Sequence, residues 1–205
     1  MSLADSYRRL APVYDRLVAL PLAAARRASL ERIPTGGRLQ ILLSAVGTGL
    51  DAPYLPAGHR YVGTDLVEAM LKRARPRIRA LDFDLVRADS TRLPFAAERF
   101  DLVVLHLIVA VVAQPARVLA EAVRVTRPGG TLLVLDKFLP PKPRAPLRRL
   151  LSPLVARFAT RLDVVFEEVL AEVPGVTVES DRPAMAGGWF RRIVLRKAAP
   201  GTNGG

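Results

Sequence analysis

The segment Gln40-Ile41-Leu42-Leu43-Ser44-Ala45-Val46-Gly47-Thr48-Gly49 constrains this chain more than any other. A mostly apolar run that ends in two glycines reads as a buried strand entering a tight turn. Glycine accepts positive φ there and lets backbone approach a ligand closely. Two later runs end in acids: Tyr61-Val62-Gly63-Thr64-Asp65 and Asp84-Leu85-Val86-Arg87-Ala88-Asp89. Side by side, three such strand ends would make a pocket of nucleoside size. An acid at the second strand end can accept both hydroxyls of a ribose, and Asp89 can accept from an adenine amino group. Each feature also has a local alternative. The glycines suit an ordinary strand-to-helix turn, Asp65 can cap the helix that follows, and Asp89 can close an Asx turn with Ser90 and Thr91.

The rest of the chain alternates in the same way. Helical character is expected from Ser2 to Arg32, broken by Pro12 and Pro21, and again over 68–80 and 115–125. Further strands are expected over 100–105, 131–136, 176–180 and 189–196, with Arg127-Pro128-Gly129-Gly130 as a turn. Strands alternating with helices imply an α/β, Rossmann-like, mostly parallel sheet with helices on both faces, which binds ligands at the carboxyl ends of its strands. The chain has no cysteine and two histidines, which argues against a thiolate or histidine-rich metal site. The longest apolar run, Leu102 to Ala113, is short of the ~20 residues that span a bilayer. No signal-peptide pattern opens the chain, so a cytoplasmic location is expected. The net charge of +12 calls for an anionic partner, nucleic acid or lipid headgroups, or else reflects the preference for arginine among its 31 basic residues.

Taken together, five segments resemble the class I S-adenosylmethionine-dependent methyltransferases. They are Val46-Gly47-Thr48-Gly49, the run from Val62 to Leu71, Asp89 with Leu93-Pro94-Phe95, the run from Arg99 to Val103, and the run from Arg124 to Gly130. The resemblance implies a seven-stranded sheet and S-adenosyl-L-methionine as cofactor. It implies cofactor contacts from Ser44, Ala45, Gly47, Thr48, Gly49, Asp65, Leu66, Met70, Asp89, Ser90 and His106. Asp65 would hold the ribose, Leu66 would pack on the adenine, Asp89 would read its amino group, and His106 would face the sulfonium. Phe95 and Phe100 read as core, and His59 as a solvated loop residue. Two positions depart from the family: Leu43 replaces an acid, and Ala45 replaces a glycine. Asp51 and Ser44 are the polar residues at hand to stand in for the acid.

The stretch Tyr7-Arg8-Arg9-Leu10-Ala11-Pro12-Val13-Tyr14-Asp15 is similar to the lid of two subgroups, the bacterial phosphatidylethanolamine N-methyltransferases and the quinone C-methyltransferases. The expected organisation is a helical lid over 1–36, a cofactor-binding domain over 37–197 with a basic amphipathic insertion at 138–162, and a disordered tail at 198–205. In that insertion Leu147, Leu150, Leu151, Leu154, Val155 and Phe158 form an apolar stripe, and no acid occurs. Such a segment can lie in a membrane interface or pack on a sheet edge. The expected partners are therefore a phospholipid or lipid-like acceptor and an anionic membrane surface. Nucleic acid is not expected, because no aromatic-basic stacking platform is present. The expected reaction is N-methylation of a headgroup amine such as that of phosphatidylethanolamine. C- or O-methylation of a quinone or other small molecule, or a weakly catalytic membrane-binding pseudoenzyme, are the alternatives. His106 and Tyr14 are the candidate catalytic residues, His106 as a proton acceptor or else a packed histidine. Tyr7, Tyr14, Lys137, Arg182 and Arg191 are the candidate acceptor contacts.

Overall fold

A short apolar strand needs a pairing partner on each edge and a layer on each face. The strand β1 (Gln40–Ser44) has both in the computed structural model, which describes residues 22–139 and 164–199. Parallel partners flank it: Leu42 lies opposite Val62 of β2 (Arg60–Asp65) and opposite Val103 of β4 (Phe100–His106). The seven-stranded sheet is completed by β3 (Asp82–Arg87), β5 (Thr126–Lys137), β6 (Val176–Met185) and β7 (Phe190–Lys197), in the order β3-β2-β1-β4-β5-β7-β6. The first five strands are parallel, and β7 is antiparallel to both its neighbours. The expected Rossmann-like fold is therefore the observed one. The chain moves outward from β1 to β3 and then returns to lay β4 against β1. That reversal opens a crevice at the carboxyl ends of β1 and β4.

Strand alternation divides the core between two faces. Leu42, Val62, Val103, Leu105 and Val134 meet α3 (Pro115–Val125) and α4 (Phe166–Ala171) on one. Ile41, Leu43, Tyr61, Val104 and Leu133 lie on the other with Leu30, Ile33 and Leu71. Leu71 belongs to α2 (Glu68–Ala74), which is shorter than the expected 68–80. Leu30 ends α1 (22–30), whose buried residues Leu22, Ala25, Arg26, Ser29 and Leu30 fall at helical spacing. Two polar residues in that stripe prove important below.

Several boundaries differ from expectation for identifiable reasons. No α-helix follows Gly49; only a 3-10 turn at Ala52–Tyr54 does, because Pro56 holds Leu55 extended and ends it. β3 starts and ends two residues early, which leaves Asp89 in the loop beyond it. Arg127-Pro128-Gly129-Gly130 lies inside β5 as an irregularity, between the Phe100–Thr126 and Leu102–Thr131 pairs, with Gly129 at φ 71°. β6 continues to Met185 as an edge strand. His59 is buried rather than solvated, accepting from the Leu39 amide at 3.2 Å and donating to the Pro34 carbonyl at 2.6 Å. Phe95 and Phe100 pack edge to face with centroids 5.1 Å apart, as core residues should. Ala198, at the start of the expected tail, donates its amide to the Gly175 carbonyl at 2.9 Å, while the candidate lid residues Tyr7 and Tyr14, residues 200–205 and almost all of the 138–162 insertion lie outside the described residues.

The irregularity in β5 generates a prediction. A Cβ on Gly130 would stand 2.8 Å from the Arg127 carbonyl oxygen and 2.9 Å from that of Asp101, both backbone atoms. Gly130→Ala should therefore destabilise the fold by about 1–3 kcal/mol. Denaturant unfolding should show a lower midpoint with an unchanged slope.

Candidate active site

The glycine turn is held in shape from three sides. The carboxylate of Asp65 accepts from the Gly47 amide and from the Val67 amide, each at 2.9 Å, and so ties the end of β1 to the end of β2. Arg77 donates to the Thr48 carbonyl at 2.6 Å. Gly49 packs against Ala74 so tightly that a Cβ would meet its Cα and Cβ at 3.2 Å. Gly47 and Gly49 have φ of 58° and 81°, as the sequence suggested. Ala45 shares that left-handed conformation at φ 58°, where an L side chain is strained. Leu43 is buried in the core beneath. Burial raises the Asp65 carboxyl, with the Val67, Gly47 and Leu66 amides opposing it.

One pocket gathers Ala45, Gly47, Thr48, Asp65, Leu66, Met70, Asp89, Ser90 and His106, all expected at the cofactor. Ser44 and Gly49 support its floor: Ser44 donates to the Ser90 hydroxyl at 2.8 Å, and Gly49 makes the Ala74 contact. Asp89 takes the Asx-turn geometry, accepting from the Thr91 amide and hydroxyl at 2.8 Å each. That uses one oxygen and leaves the residue exposed at the pocket rim. Leu66 is 50% exposed, an apolar platform open to a flat partner.

At the opposite end of the pocket stands a group that sequence reasoning missed. The Asp51 carboxylate accepts from Arg26 at 2.7 Å and from His106 Nδ1 at 3.0 Å. His106 Nε2 meets the Ser29 hydroxyl at 3.0 Å. All four residues are buried. Burial alone would raise the Asp51 carboxyl, but His106 and Arg26 overcome it and hold it well below the usual carboxylate range. Arg26 lines the pocket, and its buried Nε has no hydrogen-bond partner. His106 is thus the last residue of β4, with each ring nitrogen committed to a protein partner. Asp51 Oδ1 is likewise engaged, by Arg26 and His106 together. The signal for Arg26 and Ser29 was their place in the apolar stripe of α1.

Leu107, Ile108, Val111 and Val112 form an apolar wall. Asp136 fixes it from behind, accepting from the Ala110 amide at 2.9 Å and the Lys137 amide at 2.8 Å. Burial pushes the Asp136 carboxyl up to about 6.

Of the acceptor candidates, Arg191 is not where it was expected. Alternation along β7 turns it to the α4 face, where it pairs with Glu167 at 2.7 Å and with Asp181, over the rings of Phe138 and Phe166. Those carboxylates hold its guanidinium charged. Lys137 and Arg182 lie on the other face, with Arg192 between them.

These geometries meet known proteins at several levels. Residues 42–134 match the methyltransferase domain family. The phosphatidylethanolamine N-methyltransferase of Cereibacter sphaeroides is 31% identical over 195 residues, covering 92% of this chain and 94% of that protein. The chain belongs to the class I S-adenosylmethionine-dependent methyltransferases. A demethylmenaquinone methyltransferase of Renibacterium salmoninarum is 41% identical over 101 residues, or 47% of this chain and 40% of that protein. An S-adenosylmethionine-dependent methyltransferase from Mesorhizobium loti shares the fold, with a TM-score of 0.62, 18% identity, and coverage of 84% of this chain and 96% of that one. Members of the family use S-adenosyl-L-methionine as methyl donor. The residues present suit that molecule: a glycine cradle, an apolar platform, and the Arg26 guanidinium lining the far end. Among the described residues, no helix is long and apolar enough to cross a membrane.

Two predictions follow from the pocket walls. Ala45→Gly removes left-handed strain and should stabilise the protein by about 0.5–1 kcal/mol, net of the entropy glycine adds to the unfolded chain; thermal unfolding checks it. Asp136 carries the second. Its carboxyl is raised in the folded state, so its contribution to stability is full below the ordinary 3.8 and is lost as pH climbs through about 6. Stability should fall by roughly 3 kcal/mol across that window from this group alone. Unfolding measured from pH 4 to pH 7 should show the fall in the wild type and lack it in Asp136→Asn.

Proposed function

We propose that this methyltransferase N-methylates a phospholipid headgroup amine, such as that of phosphatidylethanolamine, at a membrane surface. One observation carries the reading: the likeness to the C. sphaeroides phospholipid enzyme spans 92% of this chain and 94% of that protein. The net charge of +12 and the acid-free stretch 138–162 favour an anionic surface.

The cofactor supplies an electrophilic methyl group on a sulfonium. What remains for the protein is to bind, align and keep water out. The Asp65 oxygens each retain a lone pair beside their amide bonds, and these face the ribose hydroxyls. Leu66 would lie under the adenine, and Asp89 would accept from its amino group. Arg26, held by Asp51, would meet the α-carboxylate of the methionyl end. His106 acts as a positioning residue, since both its nitrogens are engaged; it fixes the end of β4 against α1. The wall of Leu107, Ile108, Val111 and Val112 dries the reacting centre, so the amine attacks in line as its free base.

A second reading, C-methylation of a quinone, draws on the 41% match to the demethylmenaquinone enzyme. The two separate in one assay. With labelled S-adenosylmethionine, the protein should label phosphatidylethanolamine vesicles and leave demethylmenaquinone vesicles unlabelled. Label in the quinone alone refutes the phospholipid reading.

A further inference from the structure

The antiparallel end of the sheet contains an electrostatic anomaly. Arg182 of β6 and Arg192 of β7 are direct cross-strand partners, so their side chains leave the same face side by side. Like charges so placed repel, and proteins normally set an acid or a neutral residue at one of the two positions. Leu135 of β5 is the partner of Arg192 on its other edge. Lys137, two residues on, adds a third cation diagonal to Arg192. Burial lowers the Lys137 ammonium, with Asp136 opposing it. The Nε of Arg192 is buried with no hydrogen-bond partner.

Among the described residues, the nearby acids are committed elsewhere. Asp181 and Glu167 belong to Arg191 on the opposite face. Glu179 bridges Arg32 at 2.9 Å and Arg196 at 2.8 Å. Asp136 turns to the Ala110 and Lys137 amides. Beside the three cations lies an apolar cluster: Leu22 and Ala25 of α1, Leu135, Met185, Phe190 and Leu107. Leu107 is also a wall of the cofactor pocket. Leu107 thus joins the pocket to this cluster, and the three cations lie at the same end of the sheet.

We infer that Lys137, Arg182 and Arg192 form the anion subsite of the methyl acceptor, and that the anion is a phosphate ester. Guanidinium pairs match the tetrahedral oxygens of phosphate bidentately, and a bound dianion or diester removes the cost of the opposed arginines. A quinone carries no such charge and gains nothing from them. The lipid source of the phosphate rests on the phospholipid reading above; the subsite itself does not.

The test has two arms. In the first, methyl transfer to phosphatidylethanolamine vesicles is measured for the wild type, Arg182→Gln, Arg192→Gln and the surface control Lys72→Gln. The two arginine variants should raise the acceptor KM at least tenfold, with kcat changed less and S-adenosylmethionine affinity unchanged by calorimetry. Lys72→Gln should match the wild type, and Arg192→Lys should recover part of the loss. An unchanged acceptor KM in folded Arg192→Gln overturns the subsite, and an equal loss in Lys72→Gln reduces it to a net-charge effect and overturns it as well. In the second arm, glycerophosphoethanolamine, inorganic phosphate and ethanolamine are titrated into the protein without regard to turnover. Binding of the two phosphates, absent in the Arg182→Gln/Arg192→Gln double variant, supports the subsite even if the acceptor proves not to be phosphatidylethanolamine. Phosphate binding equal in wild type and double variant overturns it.

Discussion

The carboxylate of Asp51 is the point on which the reacting end of the molecule depends. A buried carboxylate costs several kcal/mol unless charge and hydrogen bonds surround it. Here one oxygen accepts from Arg26 and His106 together, and Ser29 completes the chain on the far side of the imidazole. Those partners come from α1 and from the end of β4, and Asp51 itself from the turn after the glycines. The requirement to keep one charge satisfied therefore fixes how α1 crosses the strand ends. It also fixes where the β4 end stands relative to the glycine turn. Losing any partner would leave the others buried with unmet charge, so the three elements move together or not at all.

Asp65 does the corresponding work at the nucleoside end, but by different physics. Its partners are backbone amides, not charges, so it shapes the turn without fixing a distant helix. The pocket is thus built in two halves. One is a local construction of strand-end amides and a carboxylate. The other is a long-range assembly in which a helix arginine is lodged by a buried acid. Leu43 gives the turn no charge of its own, since its side chain lies in the core, and the guanidinium of Arg26 reaches the pocket from α1.

The local half was legible in the sequence and the long-range half was not. Glycines after an apolar run, and acids at strand ends, report their own surroundings, so Asp65, Asp89 and the turn fell into place. Arg26 and Ser29 were visible only as polar intruders in the stripe 22, 25, 26, 29 and 30, and a stripe does not say what it faces. His59 looked solvated because its partners, Leu39 and Pro34, are 20 and 25 residues away. Arg191 and Arg192 are adjacent, and parity along one strand cannot tell which faces the pocket. The irregularities at Val178/Ser180 and Pro183/Met185 shift the pairing of β6 against β7, so only the register settles it. The single oxygen on which Asp51 gathers two partners has no sequence signature at all.

The segments that mark the family are mostly ties between loops, not reacting groups. Arg124 donates to the Phe95 carbonyl at 2.8 Å and to Glu121, while Glu121 accepts from the Leu93 amide at 2.8 Å; this fastens the Leu93-Pro94-Phe95 turn to α3. Asp101 accepts from the Gln40 amide at 2.7 Å and from Arg127, joining the start of β1 to the irregular stretch of β5. Arg77 secures Thr48. These ties hold the methyl-donor half of the sheet rigid, and they explain why five separated segments occur together. They stop at β5. Beyond it lie α1 and the β6–β7 hairpin, whose own ion pairs, such as Arg191 with Asp181 and Glu167, brace the hairpin without reaching the pocket. The hairpin residues line no part of the pocket, whereas α1 reaches it through Arg26. The proposed anion subsite lies where the family signature ends, on the face that carries Lys137, Arg182 and Arg192.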